Sequence, residues 1–233
     1  MSEIIFRYLR LCDQIKKVSN KNKKVRLVAV SKTFDKEKIV PLLDNGHRLF
    51  GENKVQEALN KWPQLKERYK NVQLHLIGPL QSNKINQALN IFDCIQTLDR
   101  EKIVKKISNA IEKNEKFKKK DFEFMIQVNI GNEPQKSGIP PDHLKEFSEF
   151  CKYDLNLNII GLMCIPPINE KPQKYFCLLK KLCDECKVEN ASMGMSNDFL
   201  EAISNGSTYI RVGSAIFGKK SIILSYNYFT AKR

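Results

Sequence analysis

The sequence predicts an α/β protein in which eight parallel strands, each followed by a helix, close into a (β/α)8 TIM-type barrel with one additional N-terminal helix. Three observations carry this. Short apolar, β-prone runs recur along the 233 residues, polar segments with helical spacing separate them, and no strand-like run is left over. An open, doubly wound sheet shares this alternation, because element order alone does not close a sheet.

Between Met1 and Lys17, Ile5, Leu9, Cys12 and Ile15 recur at helical spacing, so a helix is expected to cover the barrel floor or side. Strands are expected at 27–31, 48–50, 74–77, 94–97, 122–130, 159–165, 191–194 and 209–212. Helices are expected at 35–43, 55–70, 100–113, 141–153, 171–187 and 198–204. In a barrel of this kind the carboxyl ends of the strands share one rim, and ligands sit there.

A chain that is 42% hydrophobic, with scattered Gly and Pro and no Ser/Gly-rich linker, is expected to form a single domain over residues 1–233. The N-terminal segment lacks the apolar stretch and cleavage site of a signal peptide, and no apolar run approaches the roughly 18 residues of a membrane span. A cytoplasmic protein without a membrane partner is expected, with organellar targeting left open.

Seven cysteines, an odd number without a secretory signal, predict reduced thiols. Cys183-Asp-Glu-Cys186 has half a zinc site's spacing but no second pair and no histidine after it, so no metal is expected. The net charge of +14 gathers at residues 16–24 and 113–120, without interleaved aromatics or a nucleic-acid-binding pattern. These lysines are read as solvated faces, and no specific nucleic-acid partner is expected.

The rim residues carry the chemistry. The first strand delivers Ser31, Lys32 and Thr33, and the second Gly51, Glu52 and Asn53. The fifth leads to Lys136 and Gly138, the seventh to Met195 and Ser196, and the eighth to Arg211, Gly213 and Ser214. A lysine at the end of a buried strand can be desolvated and its pKa lowered, which suits a Schiff-base amine. Snorkelling into solvent is the structural alternative.

Met195-Ser196 and Gly213-Ser214 lie on the loops where barrels commonly hold a phosphate, and each leads into a helix N-terminus. Ser196 could equally cap a helix beginning near Asp198, and Gly213 could relieve a tight turn. The stretch from Gly213 to Lys220 approaches a P-loop, but Lys220 stands where Ser or Thr is required, which argues against nucleotide binding. An anchored phosphate opposite a desolvated lysine describes pyridoxal 5′-phosphate (PLP).

The segments Ala29-Val-Ser-Lys-Thr33, Phe50-Gly-Glu-Asn53 and His75-Leu-Ile-Gly-Pro-Leu-Gln-Ser-Asn-Lys84 carry a resemblance. So do Lys136-Ser-Gly138, Gly161-Leu-Met163, Ser192-Met-Gly-Met-Ser196 and the region from Gly206 through Gly218. Together they resemble the YggS/PROSC family of pyridoxal-phosphate homeostasis proteins. The resemblance implies an alanine-racemase-like N-terminal-domain barrel with PLP on Lys32 and phosphate contacts from Met195, Ser196, Gly213 and Ser214. It also implies Arg211 facing the pyridine nitrogen and Asn53 near the ring substituents. His75 and Lys136 match family positions too, though a strand-packing histidine and a solvated loop lysine are favoured for them.

A guanidinium cannot take the proton that a protonated pyridine nitrogen would share, so the ring should be a weak electron sink. A racemase would in addition need a second base positioned by a further β domain, and the 15 residues after Gly218 are too short for one. The expectation is therefore a PLP carrier in cofactor homeostasis, with PLP-dependent apoenzymes as recipients; a weak PLP-dependent amino-acid racemase is the alternative.

Overall fold

A computed structural model describes residues 2–19 and 25–218. The strands are β1 (Arg26–Val30), β2 (Leu49–Glu52), β3 (Gln73–Leu76), β4 (Cys94–Leu98), β5 (Glu123–Val128), β6 (Ile159–Cys164), β7 (Asn190–Ser192) and β8 (Tyr209–Val212). All neighbours pair in parallel, and β8 returns to β1 with Val28 beside Arg211 and Ala29 beside Val212. That closure excludes the open sheet.

The helices are α1 (Glu3–Val18), α2 (Lys36–Asp44), α3 (Val55–Arg68), α4 (Ile85–Ile91), α5 (Glu101–Glu112), α6 (Glu115–Lys118), α7 (Leu144–Glu149), α8 (Gln173–Glu185), α9 (Phe199–Ser204) and α10 (Ser214–Phe217). Alternation along the strands sorts the side chains into two layers. Val28, Leu49, Cys94, Met125, Met163 and Tyr209 meet inside the barrel. Ala29, Phe50, Leu74, Leu162 and Ile210 face outward into the larger core shared with the helices. No helix among the described residues is long and apolar enough to cross a membrane.

α1 covers the side of the barrel, packing on α2, α9 and α10. Its buried face is Ile4, Leu11 and Ile15, a rotation from the expected stripe that leaves Leu9 42% exposed. The expected helix at 141–153 is present as a 3-10 turn, α7 and a π-helical turn at Phe150–Asp154.

In the basic segment at 113–120, Lys113, Lys116, Lys118 and Lys119 are exposed as expected, but the segment also holds ordered structure. Asn114 accepts from the Lys116 amide to start α6, Phe117 is buried, and the Lys120 ammonium donates to the carbonyls of Leu89 (3.2 Å) and Phe92 (2.7 Å). One aromatic among lysines gives little periodic signal, which is why the turn is hard to see in sequence. All seven cysteines are free thiols.

Candidate functional site

The strand ends β7, β8, β1 and β2 form one contiguous arc of the rim. Val30 pairs with Gly51, so Lys32 and Asn53 lie two residues beyond the same register level. Gly213 is at the level of Val30 on the other side, since Val212 pairs with Ala29. The fold thus brings Lys32, Asn53, Ser196, Gly213 and Ser214 to adjacent strand ends, with Arg211 one layer lower.

Lys32 is exposed, against the expectation of a desolvated amine. It sits in a turn beyond β1 rather than within the strand. The buried lysine of this region is Lys61 on α3, whose ammonium lies 2.7 Å from Glu52 Oε1. Glu52 is fully buried but points outward from the barrel towards α3, not onto the rim. Its Oε1 also accepts from Ser31 Oγ (2.7 Å) and Trp62 Nε1 (3.1 Å), and its Oε2 has no partner among the described residues. Burial raises its pKa, against the opposing pull of Lys61 and the Ser31 and Trp62 hydrogen bonds.

Asn53 is half-buried, and the strand ends are tightly spaced here: a Cβ on Gly78 would fall 2.3 Å from the Asn53 carbonyl oxygen. On the other flank, Ser196 Oγ accepts from the Ala215 amide at 3.4 Å, tying the loop after β7 to the start of α10. Asp198, not Ser196, occupies the cap position of α9. The Asp198 carboxylate takes the Met195 amide at 2.6 Å, so that amide is already engaged, while the Met195 side chain is 39% exposed. Gly213 has φ −119°, so no left-handed turn demands it; a Cβ there would instead lie 3.1 Å from the Val30 carbonyl oxygen. Ser214 is exposed, and α10 is a single turn with little dipole to offer.

Arg211 is 4% exposed and points into the barrel. Its Nη1 donates to Ser192 Oγ (2.7 Å) and its Nη2 to the Cys164 carbonyl (2.8 Å). Ser192 Oγ donates to Gln96 Oε1 (2.6 Å), and Gln96 Nε2 lies 2.8 Å from His75 Nδ1. Because a guanidinium can only donate, the chain runs one way. The Ser192 hydroxyl donates to Gln96 Oε1, and the Gln96 amide NH2 donates to His75 Nδ1, leaving the imidazole proton on Nε2. Burial pushes His75 down to about 3, and Arg26 adds to the effect.

His75 therefore packs in the strand as expected, and it also ends this chain. Ser192 and Gln96 complete this chain and were not singled out as site residues by sequence reasoning; Gln96 lies two residues beyond the inward Cys94, while Ser192 has no such apolar neighbour to mark it. Lys136 lies outside the arc, pairing with Glu133 and donating to the Pro166 carbonyl at 3.2 Å, so it is engaged rather than freely solvated.

The closed parallel barrel is of the alanine-racemase class: the alanine racemase N-terminal domain family model matches residues 10–221. The chain belongs to the family of pyridoxal phosphate homeostasis proteins. It is 34% identical over 229 residues to the protein of that description from Aquifex aeolicus, covering 94% of this chain and 96% of the relative. The Vibrio cholerae relative is 39% identical over 206 residues, covering 84% and 86%.

Among solved structures, PipY of Synechococcus elongatus with PLP bound superposes with a TM-score of 0.79 at 29% identity, covering 93% of this chain and 100% of that one. Alanine racemase from Bartonella henselae shares the fold at a TM-score of 0.69 and 18% identity, and this chain spans 60% of its length.

Proposed function

We propose that this protein binds PLP on the β7–β8–β1–β2 arc, holds it as a Schiff base on Lys32, and buffers and delivers the cofactor to PLP-dependent apoenzymes in the cell. The observation that carries the proposal is the arc itself, in a chain whose relatives are pyridoxal phosphate homeostasis proteins. The residues present suit the group. Lys32 would supply the amine that condenses with an aldehyde, with loss of water, while the hydroxyls of Ser196 and Ser214 would be donors suited to a phosphate ester.

Arg211 supports a carrier over a catalyst. The guanidinium is the head of a donor chain and offers no acceptor to a ring nitrogen, so the nitrogen would stay unprotonated and the ring a weak electron sink. The exposure of Lys32 suits release as well as capture, since water that reverses the condensation has access.

Titration of the purified protein with PLP, followed by absorbance, tests this. A saturable new band in the wild type, lost in Lys32→Ala, is expected; identical spectra for the two proteins would overturn the proposal.

A further inference from the structure

Taking Lys32 as the cofactor lysine, as proposed above, we infer that Lys61 is its positioning residue: a buried ammonium on α3 that clamps the turn presenting Lys32 to the rim. The Lys61 Nζ donates to the Ser31 carbonyl at 2.9 Å and to the Phe34 carbonyl at 3.1 Å. Those two carbonyls bracket Lys32 and Thr33. Glu57 (2.8 Å) and Glu52 (2.7 Å) hold the same ammonium from below.

The turn requires such a clamp. Thr33 has φ 67°, a left-handed conformation that is an outlier for a β-branched residue and persists only where its surroundings impose it. The Phe34 amide closes the turn on the Ser31 carbonyl at 3.2 Å, the Thr33 amide donates to Glu57, and the Ser31 hydroxyl to Glu52. Every member of the turn except Lys32 is thus tied to the same carboxylate–ammonium cluster.

The cluster is poorly built for stability alone. Two carboxylates, the fully buried Glu52 and the partly exposed Glu57, share one buried ammonium, and Glu52 Oε2 is buried without a partner among the described residues. Apolar residues of similar volume would join α3 to β2 without that cost. What they could not do is donate to the two carbonyls that frame Lys32. Lys61 also has its three donors committed to the turn and the carboxylates, which leaves Lys32 as the amine free to meet an aldehyde.

Lys61→Met keeps the stem and removes the donors, and Glu57→Gln, at a side chain 25% exposed, loosens the Thr33 amide with less risk to the fold. Both are expected to speed PLP dissociation by about tenfold or more, the scale of a slightly misplaced group, with borohydride reduction still marking Lys32. Folded variants that release PLP at the wild-type rate would overturn the clamp, and Glu57→Gln decides alone if Lys61→Met does not fold. If the wild type takes up no PLP, the ligand proposal fails separately. Amide hydrogen exchange at residues 31–34 then judges the clamp, which predicts faster exchange in Glu57→Gln and falls if exchange is unchanged.

Discussion

Arg211 donates to Ser192 across 2.7 Å inside the barrel, and that contact gives direction to four side chains drawn from β8, β7, β4 and β3. Ser192→Ala removes the acceptor and leaves a buried guanidinium N–H and the Gln96 carbonyl oxygen unmet. A loss of about 1–3 kcal/mol is expected, the cost of stranding buried polar groups, measured by denaturant unfolding. The same chain places the His75 proton on Nε2, which 15N chemical shifts of the imidazole report directly. An Nδ1–H tautomer would contradict the direction of the chain.

Stability should fall as pH drops below neutral. His75 is buried and His47 half-buried, and desolvation pushes them to about 3 and about 4, below the ordinary 6.5. The unfolded chain therefore binds these protons first, so the stability they contribute is present above pH 6.5 and is lost on acidification towards the folded values. Between pH 6.5 and 5 the loss is expected at roughly 1 kcal/mol per pH unit per histidine, and His47→Gln should shallow the slope. A flat profile over that window would contradict the desolvation of both rings.

Gly194→Ala tests the packing beneath the loop after β7. Gly194 has φ 92°, and an added Cβ would fall 2.5 Å from the Ala202 Cβ on α9. A destabilisation of about 1–3 kcal/mol is expected from this overpacking, together with weaker PLP binding as Ser196 moves. Thermal melts and PLP titration of one variant report both effects.

Ser196→Ala should separate phosphate recognition from aldehyde capture. Loss of a hydroxyl donor to an anion is expected to weaken PLP binding about ten- to a hundredfold, from a charge-assisted hydrogen bond worth roughly 1.5–3 kcal/mol. Pyridoxal, which has no phosphate, should bind the two proteins alike. Equal weakening of both ligands would place Ser196 elsewhere in the site.

Much of the fold was legible in the sequence because parallel strands buried on both faces read as short apolar runs. The β8 strand lies at 209–212 as expected, and β1 at Arg26–Val30 is offset by one residue. What escaped was directional. Strand periodicity assigns Glu52 to a strand end, but only the packing of α3 shows that it faces Lys61 and Trp62. Likewise, a lysine after an apolar run looks buried, yet the turn at Thr33 carries Lys32 out of the strand and into solvent. The chain through Ser192 and Gln96 escaped for a different reason: the partners that join them lie on other strands, a juxtaposition that periodicity does not encode.

Peptide mapping by mass spectrometry after borohydride reduction of the PLP-loaded protein tests the central claim most directly. A single reduced pyridoxyl group on the peptide containing Lys32 is the expected result. Modification at Lys61 or Lys136, or spread across surface lysines with Lys32 unmarked, would contradict it.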